Sequence, residues 1–61
     1  MKVKLFNKAS VSKYIDLTGK NDPDQVLVLG PKASTITDIP TERRFIELST
    51  ANRGQVVFRK L

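Results

Sequence analysis

The chain has 61 residues, a formal net charge of +5, and neither cysteine nor histidine. Disulfides are therefore excluded, and the commonest transition-metal ligand is missing. A chain of this length fits one domain with a small core, which we expect to span residues 1–61. It has no apolar run of membrane-spanning length and no signal-peptide pattern, so we expect no contact with a membrane.

Four segments in the first two thirds of the chain have the composition of β-strands. Residues 3–6, 11–17, 26–29 and 34–37 are rich in β-branched and aromatic side chains, and turn-forming residues separate them. The third segment is the unbroken apolar run Val26-Leu27-Val28-Leu29. A strand with one exposed face should alternate, so this run predicts that both faces are covered. The cover is either a partner chain or a closed barrel with its helix.

The composition of the sequence changes after Pro40, from strand-forming to helix-forming residues. Residues 41–50 are predicted to form a short helix, with Asp38 or Thr41 as its N-cap and with Gly54 in a left-handed conformation beyond its end. A last strand is predicted over residues 55–61. The order is β-β-β-β-α-β, which indicates a mostly β protein. It is either a small antiparallel sheet or a partly open β-barrel, with one short α-helix before the last strand. The predicted core consists of Val3, Leu5, Ile15, Leu17, Val26, Val28, Ile36, Phe45, Leu48, Val56 and Phe58.

No segment has the pattern of a catalytic or metal-binding motif. The segment from Gly30 to Thr35 lacks the Gly-Lys-Ser/Thr ending of a phosphate loop and is predicted to be a turn followed by a strand. Asp22 and Asp24 lack the further oxygen ligands of a calcium loop. Without His or Cys the usual nucleophile–base pairs cannot be assembled. We therefore predict a protein that is not an enzyme and that has no metal site and no cofactor.

Positive charge is concentrated at both ends of the chain, where no acidic residue is present. If the first and last strands are neighbours, these side chains form a basic patch. Such a patch would bind nucleic acid with strong salt dependence, or it would contact a protein. The residues of the nucleic-acid hypothesis are Lys2, Lys4, Lys8, Lys13, Arg59 and Lys60. Single-strand binders usually add aromatic platforms. Because this chain has few aromatic residues, a protein contact is favoured.

From Tyr14 onward, the order of segments is "YIDL", "VLVLGPKAS", "TITDI", a short helix and "RGQVVFRKL". This order resembles that of small proteins encoded among the head and tail genes of tailed bacteriophages. The resemblance implies a virion structural protein, made in the host cytoplasm, that decorates or cements a capsid or forms a small tail or baseplate part. The implied partners are major capsid or tail proteins, or a further copy of the chain. We expect the contact to include Lys2, Lys4, Val26, Val28, Arg43 and Arg44. A small basic β-barrel that binds nucleic acid is the alternative, and an inhibitor of a host protein is a third hypothesis.

Overall fold

Five β-strands in two antiparallel sheets and one helix make up the computed structural model, which describes residues 1–61. In chain order the elements are β1 (Lys2–Asn7), β2 (Lys13–Asp16), a 3-10 turn (Pro23–Gln25), β3 (Val26–Leu29), β4 (Ser34–Asp38), α1 (Glu42–Ala51) and β5 (Val56–Lys60). One sheet has the strand order β4-β1-β5, and the other is the β2-β3 hairpin. The predicted mostly β fold, with one helix before the last strand, is confirmed. The sheets do not close into a barrel, so the open-sheet alternative is correct.

Strand β1 is the middle strand of the larger sheet, and its side chains alternate strictly between the two faces. Val3, Leu5 and Asn7 are fully buried on the inner face, whereas Lys2, Lys4 and Phe6 lie on the outer face. Leu5 stands between Thr35 of β4 and Phe58 of β5. The inner face therefore forms one wall of the core.

The β2-β3 hairpin covers the core on one side only. Within the apolar run, Leu29 is buried and Leu27 is half-buried against the core, but Val28 is 56% exposed. Val28 stands opposite Tyr14, which is also exposed. The closed barrel that would cover both faces of the run is thus not formed, and cover of the outer face by a partner chain stays a prediction. The run is an ordinary alternating strand whose outer positions happen to be valines.

Helix α1 begins at a capping threonine. Thr41 Oγ1 accepts a hydrogen bond of 3.1 Å from the backbone N–H of Arg44, so Thr41 is the N-cap. Leu48 is buried in the core, and the Phe45 ring meets the Phe58 ring edge-on with 6.3 Å between the centroids. Gly54 has a φ of +84°, which confirms its predicted left-handed conformation.

The core differs from the prediction at several positions. Val3, Leu5, Ile15, Leu17, Leu48 and Val56 are buried as predicted, and Val26, Phe45 and Phe58 are half-buried. Val28 and Ile36 were assigned to the core wrongly, since both lie on outer faces. The core also contains Leu29 and Ile39, which the sequence prediction missed. Ile36 is exposed because Thr35 and Thr37 take the inward positions of β4.

A buried asparagine ties the two sheets together. Asn7 Nδ2 donates to the backbone carbonyls of Val11 at 2.9 Å, Leu29 at 3.0 Å and Gly30 at 3.0 Å. Its Oδ1 accepts from the Ala9 N–H at 2.9 Å. The C-terminal end of β1 is thus joined to the C-terminal end of β3 and to the turn after β1. These bonds satisfy polar groups that would otherwise be buried without partners.

Candidate functional site

The outer face of the β4-β1-β5 sheet brings together three of the predicted site residues, Lys2, Lys4 and Arg59. We define this outer face by Lys2, Lys4, Phe6, Ser34, Ile36, Asp38, Val57 and Arg59. The register places Phe6 between Ser34 and Val57, and it places Lys4 between Ile36 and Arg59. Lys2 stands beside Asp38. The surface is thus an open three-stranded sheet with basic and apolar side chains in adjacent rows.

Three apolar side chains of the outer face are open to solvent. Phe6 is 38% exposed, Val57 is 46% exposed and Ile36 is 58% exposed. Phe6 and Val57 are cross-strand neighbours, and Ile36 lies one row away across β1. Single exposed apolar residues are common on protein surfaces, but neighbouring ones rimmed by charge are typical of interaction sites.

The charged side chains of the outer face are mainly basic. Lys2, Lys4 and Arg59 oppose the single carboxylate of Asp38, which gives three positive charges less one negative charge, or +2. None of these basic groups takes part in an ion pair of the structure. Lys4 and Arg59 are directly opposite each other, so the first and last strands are neighbours, which was the condition for a basic patch. Two cations side by side attract an anionic surface.

The remaining basic residues of the nucleic-acid hypothesis lie elsewhere. Lys60 is on the opposite side of β5, where its Nζ pairs with Glu42 and lies 5.2 Å from the centroid of the Phe45 ring. Lys8 lies in the turn after β1, and Lys13 begins β2 in the other sheet. The structure therefore brings together only Lys2, Lys4 and Arg59 of the predicted six.

The residues predicted to contact a partner are spread over three surfaces. Lys2 and Lys4 are on the outer face, whereas Val26 and Val28 lie on the outer side of the hairpin. Arg43 is on the helix, and its side chain is 90% exposed and 3.8 Å from a carboxylate oxygen of Glu47. The sequence reasoning did not assign Phe6, Ile36 or Val57 to a contact surface. The even-numbered positions of β1 offered a signal for Phe6, since they also carry Lys2 and Lys4.

Arg44 has a structural position, in contrast to its neighbour Arg43. Its side chain is only 21% exposed. Its Nη2 donates to the backbone carbonyl of Asp16, and its Nη1 donates to Glu47 Oε1 at 3.4 Å. A Cβ on Gly19, where φ is +79°, would lie 3.1 Å from Arg44 Cζ. The guanidinium therefore fills the space beside the turn that follows β2 and holds that turn against α1.

The Asp16 carboxylate organises the same turn. Its Oδ1 accepts from the Gly19 N–H and its Oδ2 accepts from the Asn21 N–H, both at 3.1 Å. Partial desolvation by itself would raise the pKa of this carboxyl. The hydrogen bonds from Asn21 and Gly19, with the nearby Arg44 charge, outweigh that effect and hold the pKa below its ordinary value of 3.8.

Replacing Asp16 should therefore make stability less dependent on pH. Because the folded-state pKa is lowered, the carboxylate stabilises the fold above its unfolded-state pKa, and this contribution is lost as the pH falls through the folded-state pKa. We expect Asp16→Asn to be less stable than the parent at pH 7, with a difference that shrinks below about pH 4. Urea unfolding of both proteins between pH 2 and pH 7 measures it. A difference that stays constant over this range would contradict the assigned role.

Other kinds of site are not seen in the structure. It contains no pocket and no group of three or more His, Cys, Asp or Glu side chains placed to hold a metal ion. No helix has the length and apolar character needed to cross a membrane. Comparison with protein-family models, with curated proteins and with solved structures finds no match to this chain. The outer face is therefore the observation on which a functional proposal can rest.

Proposed function

We propose that this chain is a non-catalytic binding protein that docks onto the acidic surface of a protein partner through its outer face. The observation that carries the proposal is the combination of Phe6, Ile36 and Val57 with the unpaired cations Lys4 and Arg59 on one open sheet. The apolar side chains supply area to bury, and the basic ones select a partner surface of opposite charge. Arginine is also among the residues enriched in the centres of interfaces.

The partner we propose is a major capsid or tail protein of a bacteriophage. The likeness of the strand and turn pattern from Tyr14 onward to small virion proteins supports this role. An open sheet face is also better suited to contact with a flat partner surface than to binding in a groove, because it offers a broad contact area and has no cavity. The chain would then decorate or cement an assembled particle.

Nucleic acid is the second candidate, and one observation favours it. Phe6 lies beside Lys4 on the same strand face and is a diagonal neighbour of Arg59 on β5, so a base stacked on the ring would have phosphates near two cations. Against it, the face has a single aromatic ring, and Ile36 and Val57 occupy the neighbouring positions where further stacking platforms would be needed. The aliphatic neighbours favour a protein surface.

The proposal is tested by binding to particles of the phage whose genome encodes the chain. Purified particles stripped of accessory proteins are mixed with the chain, sedimented and quantified. We expect the double variant Lys4→Glu with Arg59→Glu to bind at least about tenfold more weakly, a loss of about 1.4 kcal/mol. The matched control is Lys8→Glu with Lys13→Glu, which changes the net charge equally at positions off the outer face. We expect it to bind nearly as well as the parent.

Two outcomes would overturn the proposal. Equal losses in both double variants would show that only net charge matters, and no binding by the parent would remove the virion role. Binding of a short single-stranded DNA oligonucleotide is measured in parallel by fluorescence anisotropy. If the parent binds it with steep salt dependence, and the Lys4/Arg59 variant does not, the nucleic-acid function replaces the one proposed.

A further inference from the structure

Strand β4 leaves one of its edges unpaired. Its only strand neighbour is β1. Hydrogen bonds of 2.9 Å from the Asn7 N–H to the Ala33 carbonyl, and from the Ile39 N–H to the Met1 carbonyl, fix which residues of the ladder exchange bonds. Because hydrogen-bonded and non-bonded pairs alternate, Thr35 and Thr37 direct their N–H and C=O groups toward β1. The backbone groups of Ser34, Ile36 and Asp38 therefore point away from the sheet.

This edge lacks the side chains that usually prevent strand association. Natural edge strands are blocked by lysine, proline, bulges or a covering element. β4 has the sequence Ser-Thr-Ile-Thr-Asp, with no lysine, no proline and a single charge at its last residue. Ile36, at the centre of the strand, is 58% exposed.

We propose that β4 pairs antiparallel with β4 of a second copy, about a two-fold axis that passes beside Ile36. In this register Ile36 faces Ile36 of the second copy, Ser34 faces Asp38, and Thr35 faces Thr37. The three residues with outward-pointing backbone groups all form hydrogen-bonded pairs, and each pair exchanges two bonds. The three strands of each copy then form one continuous sheet.

The side chains of β4 suit this symmetric pairing because the strand reads nearly the same in both directions. It has a polar residue at each end, a threonine on either side of the centre and isoleucine at the centre. The Ser34 hydroxyl can donate to the Asp38 carboxylate across the axis, and the threonines and the isoleucines form pairs that stabilise sheets. A two-fold axis at Asp38 would instead place two carboxylates opposite each other, and one at Ser34 would place Ile36 opposite Lys32 in the turn before β4, so the register centred on Ile36 is favoured.

The dimer is tested by sedimentation equilibrium over a wide concentration range, with amide hydrogen exchange followed by NMR. We expect a weak, concentration-dependent dimer, because one edge strand buries less than the standard interface of about 1,600 Å². The amides of Ser34, Ile36 and Asp38 should become protected as concentration rises. Those of Thr35 and Thr37, already bonded to β1, should be protected at every concentration.

Charge substitutions at Ser34 test the register itself. Ser34→Lys places a cation opposite Asp38 of the second copy at two symmetric positions, and we expect it to tighten the dimer by about 2- to 30-fold. Ser34→Asp places like charges there and should weaken the dimer to a similar extent. Ser10→Lys and Ser10→Asp are the matched controls, since Ser10 is exposed and lies outside the strands. They should leave the dissociation constant within about twofold of the parent's value.

Backbone substitution provides an independent variant. Ile36→Pro removes an N–H that the monomer does not use in its ladder, so it should abolish the dimer while circular dichroism keeps its β signature. The proposal is overturned if the parent remains a monomer at millimolar concentration. It is also overturned if a dimer forms that responds equally to both Ser34 variants, because the register would then be a different one. Both results are independent of whether the outer face binds a virion protein.

Discussion

Asn7→Leu is expected to lower the free energy of unfolding by about 2 to 4 kcal/mol, although the leucine side chain has the same number and branching of heavy atoms as asparagine. The substitution leaves the Ala9 N–H and the carbonyls of Val11, Leu29 and Gly30 without their partner. Each buried polar group left unpaired costs about 1 to 3 kcal/mol. A domain of this size has a total stability of only about 5 kcal/mol, so the variant should be close to unfolding.

Urea denaturation followed by circular dichroism measures this loss. Asn7→Asp is the informative companion, because it keeps an acceptor for the Ala9 N–H but loses every bond that Nδ2 donates. We expect it to be at least as destabilised as Asn7→Leu at pH 7, since it brings a carboxylate toward three carbonyl oxygens. Ser10→Ala, an exposed neighbour, should unfold at the parent's midpoint. A stable Asn7→Leu protein would show that the two sheets are held together by apolar contact alone.

Ile39→Ala should cost about 2 to 5 kcal/mol, whereas Ile36→Ala should cost less than about 0.5 kcal/mol. The two residues are three positions apart and have the same side chain. Ile39 is fully buried in the core, and Ile36 is 58% exposed on the outer face. Truncating Ile39 leaves a cavity that the surrounding core fills only in part, while truncating Ile36 removes atoms that already contact water.

The comparison is made by urea unfolding at low micromolar concentration, where pairing of β4 does not contribute. The slope of the unfolding free energy against urea should stay the same in both variants, which shows that each loses stability without a change in the unfolded ensemble. If Ile36→Ala were the more damaging of the two, the strand would have the opposite face toward the core, and the outer face described above would not exist.

The order and approximate bounds of the elements follow from the sequence because turn-forming residues separate them. The apolar run over 26–29 coincides with β3, and the predicted helix over 41–50 is displaced by one residue from α1. Thr41 and Asp38 were both available as N-caps, and only Thr41 accepts the bond from Arg44. Turns, helix bounds and N-caps depend on residues that are close together in the chain, so they can be predicted from the sequence.

The side of each short strand that meets the core was harder to predict. In both β3 and residues 34–39, apolar residues occupy odd and even positions, so alternation has two solutions. The sequence prediction chose Val28 and Ile36, and the fold buries Leu29 and Ile39. A change of one position exchanges the two faces completely. The buried Asn7 was missed for a related reason, since a polar residue at an inner position has no apolar signal.

Only the basic residues of the outer face could be predicted from the sequence, because they come from the two ends of the chain. The first and last strands are neighbours, which was the condition for a basic patch, and Lys2, Lys4 and Arg59 of the six predicted residues lie on one surface. Ile36 and Val57, two apolar residues of the outer face, come from the strands on either side of β1. Strand order cannot be predicted from local sequence patterns. Because side chains alternate along β5, Lys60 points to the other side of the sheet from Arg59, where it pairs with Glu42.

The central position of β1 has a consequence for how the protein is made. During synthesis β1 emerges before β4 and long before β5, which spans residues 56–60. It therefore has no neighbouring strand to pair with at first. Its ladders join residues that are between 28 (Phe6 and Ser34) and 57 (Val3 and Lys60) positions apart in the chain, and contacts between such distant residues slow folding. The β2-β3 hairpin and α1 can form locally in the meantime. The larger sheet therefore cannot be completed before β5 has emerged from the ribosome.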